Sequence, residues 1–218
     1  MVQRRRHFEP GYIYHVLNRG ALRQQLFFSD SDFIKFEALI EETHQQIPLP
    51  IYTYELMPNH WHFAVRPRDQ KMLSDFFQRL TGTHAKRFRR QHRSVGEGHV
   101  YQDRFKSFPV QDDGHFLALC RYIERNALRA GLVNRAEDWK WGGLYHWSNS
   151  KLPWLLSDWP ITRPTDWIAR VNQPLTEAEI GAIHLSIRRG RPLGNSDWTR
   201  DTAEQLRLTH SLKPRRWP

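Results

Sequence analysis

Residues 51–67, IYTYELMPNHWHFAVRP, form two alternating extended runs joined at Met57-Pro58-Asn59. Proline presets the first central position of a turn and asparagine tolerates the second, so the segment reads as a β-hairpin. Side chains two apart in a strand share a face. His60 and His62 therefore point one way, while Trp61, Phe63 and Val65 point the other way, into a core. Such a hairpin needs a packed layer to cover its apolar face.

The flanking sequence supplies that layer. YIYHVLNRG (12–20) alternates, is rich in β-branched and aromatic residues, and ends in Gly20, as a strand does. In FFSDSDFIKFEALIEETHQQ, Phe33, Phe36, Ile40 and Thr43 or His44 recur at helical spacing, with Asp30 or Ser31 as N-cap. A second helix is expected from Met72 to about Arg93. RFKSFPVQ (104–111) reads as a strand, and Pro109 favours a sheet edge. HFLALCRYIERNALRAGLV (115–133) reads as a third helix stopped by Gly131. The order β-α-β-β-α-β-α predicts an α+β fold, a ferredoxin-like four-stranded antiparallel sheet with packed helices.

Composition shifts near residue 148. Six of the nine tryptophans lie from Trp139 to Trp167, in a segment expected to wrap back over the first domain. Thr176 and Glu179 stand at capping-box spacing, opening a helix that Gly190 stops, and a shorter helix follows around residues 199–208. The expected division is a first, sheet-bearing domain over 1–148 and a Trp-rich, basic, helical extension over 149–218.

Lys and Arg number 33 against 23 Asp and Glu, a formal net charge of +10, which favours a polyanionic partner. A single cysteine, Cys120, permits no intrachain disulfide and suits a reducing cytoplasm. The basic N-terminus is followed by no apolar stretch of signal-peptide type, and no apolar run reaches a membrane span. A soluble cytoplasmic protein, nucleoid-associated when bound to DNA, is expected.

Two imidazoles side by side on a strand make half of a metal site, although the same pattern also fits a pair of half-buried histidines. On the third helix, Phe116, Leu119, Cys120, Ile123, Ala127 and Ala130 make the core stripe. Tyr122 and Asn126 lie together on one flank as an i,i+4 pair, and Arg129 extends that face. A helix carrying them over the histidine-bearing sheet would place a phenol and a carboxamide oxygen beside His60 and His62. A boundary tyrosine with its hydroxyl in water is the alternative.

HVLNRG, MPNHWH, RFKS and YIERNALRAGLV occur in one order over about residues 8–148. Together they resemble the single-tyrosine HUH transposases, in particular the REP-associated tyrosine transposase branch, and the later GRPLG stretch resembles the tails of that branch. The resemblance implies that Tyr122 attacks a phosphodiester of single-stranded DNA, giving a 5′-phosphotyrosine link and a free 3′-hydroxyl. It implies that His60, His62 and Asn126 hold Mg²⁺ or Mn²⁺, and that the substrate is a DNA hairpin with a single-stranded flank. Ala127 departs from many relatives, which have proline there, and should leave the helix more regular. A nucleic-acid-binding protein without chemistry, or a metal-dependent nuclease without a covalent intermediate, are the alternatives.

Candidate DNA contacts are the arm Arg4, Arg5 and Arg6, then Arg19, the helical stripe Arg79, Lys86, Arg90 and Arg93, and the strand pair Arg104 and Lys106. A monomer is expected, with a dimer left open.

Overall fold

The computed structural model describes residues 8–92, 96, 98–152 and 154–213. Arg4, Arg5, Arg6 and Arg93 lie outside the described residues. Four strands, β1 (Ile13–Arg19), β2 (Ile51–Met57), β3 (His60–Val65) and β4 (Lys106–Val110), form a sheet in the order β2-β3-β1-β4. All pairings are antiparallel, as the ferredoxin-like expectation requires.

The alternation in each strand sends residues to two different cores. Tyr14, Val16, Trp61, Phe63 and Val65 meet α1 (Asp30–Gln46) and α2 (Met72–Gln91), through Phe33, Phe36, Leu73, Phe76 and Phe77. Trp61 is fully buried and lies flat on Phe77, with ring centroids 5.5 Å apart. Ile13, Ala64 and Phe108 on the other face meet α3 (Gly114–Glu124) through Phe116, Leu119 and Ile123. The site-bearing face of β3 thus lies under α3, opposite α1 and α2.

The N-cap of helix α1 lies one or two residues earlier than the expected Asp30 or Ser31. Ser29 is its N-cap, and Ser29 and Asp32 form a capping box, which satisfies donors that Asp30 or Ser31 as cap would have left unpaired. The third helix departs more. It breaks at Arg125 (φ −96°, ψ 0°), so α3 ends at Glu124 and a one-turn α4 (Asn126–Arg129) follows. Ala127 does not make the helix regular, because its N–H turns aside to the buried Oε1 of Glu55 at 2.6 Å. Beyond the break Ala130 is exposed and leaves the core stripe.

Later elements are α5 (Gly143–Ser148), α6 (Trp167–Asn172), α7 (Glu177–Arg189) and α8 (Ser196–Gln205). Helix α7 has the expected Thr176–Glu179 capping box and ends on Gly190 in the left-handed region at φ 68°. The Trp-rich segment runs along the outer edge of β2, where Leu56 N–H donates to the Trp141 carbonyl and Trp139 Nε1–H to the Leu56 carbonyl, both at 2.9 Å. Trp141 stacks on Phe33 while Trp159 packs on Phe116, so the segment touches both cores. At the other edge, Leu193 pairs with Pro109 of β4 and with Gln111 just beyond it. The β2 edge is thereby covered and the end of β4 is capped, which leaves less open template for pairing with another chain.

Candidate active site

His60 and His62 leave β3 on the α3 side. Each is held by a different neighbour. His60 Nδ1 lies 2.6 Å from Asn59 Oδ1, and Asn59 Nδ2 donates to the Arg23 carbonyl, which fixes which end of that carboxamide is oxygen. His60 therefore carries its proton on Nδ1 and keeps Nε2 bare. His62 Nδ1 instead lies 2.9 Å from Nε2 of His15, a fully buried histidine of β1 whose ring plane is within 6° of its own, as an in-plane hydrogen bond between the two rings requires.

Burial pushes His60 and His15 down to about 3, with Arg19 and Arg129 adding to the effect at His60. It also holds His62 well below the usual imidazole range. All three rings are neutral at physiological pH, so their lone pairs are available to a metal or a hydrogen bond.

Tyr122 enters from α3. Its ring stands edge-on to His62 at 5.9 Å and edge-on to His184 of α7 at 5.8 Å. Burial raises its phenol above the ordinary value, and the guanidinium of Arg129, 5.0 Å from the ring centroid, pulls the other way. The break at Arg125 places Asn126 at the start of a new turn, with Nδ2 3.4 Å from His60 Nε2 and Oδ1 accepting from Arg129 Nη2 at 2.7 Å.

These groups open onto one cavity of about 750 Å³. Arg19, Arg104 and Lys106 line it, and α7 adds His184 and Arg188. Arg79, Lys86 and Arg90 do not line it. They are exposed on α2, the helix that packs on the opposite face of the sheet, and Arg79 and Glu42 of α1 are 3.7 Å apart. The helical spacing that defined their stripe carries no information about which face of the sheet the helix covers.

Sequence reasoning missed His15, His184 and Arg188. His15 sat inside the quoted HVLNRG, but only the strand register, Leu17 opposite His62, brings its ring to His62. His184 and Arg188 are an i,i+4 pair on α7, which marks one face without saying what that face meets.

The donors suit a divalent cation: two neutral imidazoles and a carboxamide oxygen, with room for phosphate oxygens. Among the described residues no cluster of three or more His, Cys, Asp or Glu could hold a metal, so the third protein donor would be Asn126. Its oxygen now faces Arg129, and the carboxamide must turn to offer it.

A solved structure of a REP-associated tyrosine transposase bound to a REP hairpin superposes with a TM-score of 0.54 at 17% identity, covering 81% of this chain and 100% of that one. A putative transposase from Deinococcus radiodurans R1 gives 0.40 at 20% identity, covering 56% and 96%. No curated protein matches the chain. No helix among the described residues is long and apolar enough to cross a membrane. The family described as "Transposase IS200 like" matches residues 10–126, more than half of the 218, over a span that includes β1, the β2–β3 hairpin, Tyr122 and Asn126. The chain belongs to the IS200-like transposase family.

Proposed function

We propose that the protein cleaves and rejoins single-stranded DNA beside palindromic, REP-like hairpins, with Tyr122 as the nucleophile. One observation carries this: the phenol, both imidazoles and the Asn126 carboxamide share a single cavity walled by Arg19, Arg104, Lys106 and Arg129. The REP hairpin in the solved relative supports the choice of substrate.

The Tyr122 oxygen would attack the scissile phosphorus, its proton passing to solvent in the cavity. The bond from phosphorus to the 3′ oxygen breaks, and that oxygen leaves as a 3′-hydroxyl. The 5′-phosphotyrosine keeps the bond energy, because a phenol is a far better leaving group than an alkanol, and a 3′-hydroxyl attacking in reverse reseals DNA. His60, His62 and Asn126 would hold Mg²⁺ or Mn²⁺. The ion, when bound, orients the scissile phosphate and offsets charge developing on it. Arg129 favours the phenolate form of Tyr122, and Arg19, Arg104 and Lys106 contact the flanking phosphates.

Residues 1–148 act as the catalytic domain, and the 149–218 extension contributes His184 and Arg188 to the cavity wall. A cytoplasmic monomer suffices for the reaction.

The test is purified full-length chain with a labelled hairpin carrying a single-stranded flank and Mn²⁺. A protein–DNA adduct should survive denaturing electrophoresis and vanish with EDTA or in the double variant His60→Ala, His62→Ala. Cleavage that persists in Tyr122→Phe would select hydrolysis without a covalent link. Binding without any cleavage would select a non-catalytic role.

A further inference from the structure

The two candidate metal-binding imidazoles are not equally ready. His60 is locked by Asn59 with Nε2 bare, whereas His62 has only another imidazole to define its proton. His15 is fully buried, set edge to edge with His62 with planes 6° apart, and flanked by the Phe108 ring at 4.9 Å. Its Nε2 faces His62, and its Nδ1 is buried with no hydrogen-bond partner among the described residues.

A neutral imidazole carries one N–H, so the pair has two arrangements. In one, His15 Nε2–H donates to His62 Nδ1, the His62 proton sits on Nε2, and His15 Nδ1 is a bare lone pair. In the other, His62 Nδ1–H donates to His15 Nε2, His62 Nε2 is bare, and the His15 proton sits on Nδ1, where the described residues offer no acceptor. Stranded buried N–H groups are the rarer orphan in folded proteins, which makes the first arrangement the resting one. That arrangement blocks His62 as a ligand.

We propose that His15 is a positioning residue whose ring sets the tautomer of His62, and that a divalent cation entering the site switches both rings together. The inference rests on the metal role proposed for His60 and His62. The protons balance. His62 releases its Nε2 proton to solvent in the cavity, the His15 Nε2 proton crosses to His62 Nδ1, and His15 Nδ1, buried at rest, gains one proton from solvent during local opening of the chain. Both rings are neutral at the start and at the end, so the switch is one of tautomer and leaves the net charge unchanged.

The test is nuclear magnetic resonance of the full-length chain labelled with ¹⁵N-histidine, at fixed pH, with and without Mg²⁺; His15→Phe assigns the His15 signals. Without metal, the protonated nitrogens should be Nδ1 of His60 and Nε2 of His62 and His15. Saturating Mg²⁺ should move the proton to Nδ1 on both His62 and His15, with His60 unchanged. In His15→Phe, which keeps an aromatic ring in the same buried position, His62 alone should switch. A His62 already protonated on Nδ1 in the metal-free chain would overturn the inference, as would Mg²⁺ shifts at His60 and His62 with His15 unmoved. In both cases the metal role itself would stand. Absence of any Mg²⁺ or Cd²⁺ shift at all three rings would overturn both.

Discussion

Asn126 Oδ1 accepts from the Arg129 guanidinium at 2.7 Å, while the same side chain turns its Nδ2 toward His60. Arg129 thus occupies the oxygen that a cation would need, and its charge lies beside the two imidazoles that would complete the site. Arg129→Met should tighten Mn²⁺ binding to the free protein, by roughly several-fold from the loss of like-charge repulsion. It should weaken DNA binding at the same time. Calorimetric titration of Mn²⁺ checks the first effect, and unchanged affinity would contradict the competition.

Glu55 determines where the third helix breaks. Its buried carboxyl, held above the ordinary range by burial, accepts the Ala127 N–H and so supports the turn that presents Asn126. Glu55→Gln keeps an acceptor and should cost less than about 1 kcal/mol. Glu55→Ala strands the N–H and leaves a void, and should cost about 2–4 kcal/mol. Denaturant unfolding of the two variants checks the difference.

Low pH should destabilise the fold through its buried imidazoles. Burial depresses His15 and His60 to about 3 and His84 to about 4. Unfolded, each titrates near 6.5, so between these values the unfolded chain binds more protons. Stability is complete above about pH 6.5 and falls as pH drops toward 4, by up to ~1.4 kcal/mol per unit for each such group. His15→Phe should make that slope shallower. A slope from pH 7 to 4 that is unchanged in His15→Phe would contradict the burial of that ring, because the raised carboxyl of Glu55, which acts in the opposite direction on the absolute profile, does so alike in both proteins.

Arg19 and Lys106 line the cavity from β1 and β4. Replacing either with Gln should weaken binding of single-stranded DNA about equally across sequences and lower the salt slope by about 1. The same change at Lys86, on the far side of the sheet, should leave binding at this cavity unaltered. Fluorescence anisotropy at several salt concentrations reads both.

The strands and most helices were legible because local chemistry and global packing agree there. The Pro58-Asn59 turn fixes the hairpin, period-two alternation sorts Trp61 from His62, and Thr176, Glu179 and Gly190 bound α7 as their types dictate. The break at Arg125 was hidden, since neither glycine nor proline marks it and the acceptor that draws the Ala127 N–H aside, Glu55, lies 72 residues before Ala127. The site was legible only as far as it is local. Tyr122 and Asn126 declare themselves by helical spacing and His60 and His62 by strand spacing. His15 depends on strand register, and His184 on the docking of a helix some sixty residues further along the chain.

The most direct measurement is peptide mass spectrometry of the protein after incubation with a hairpin oligonucleotide and Mn²⁺. The tryptic peptide that contains Tyr122 should carry the mass of the 5′-phosphorylated cleavage product on its phenol. An oligonucleotide attached to any other residue, or cleaved DNA with no attached peptide, would contradict the assignment of Tyr122 as nucleophile.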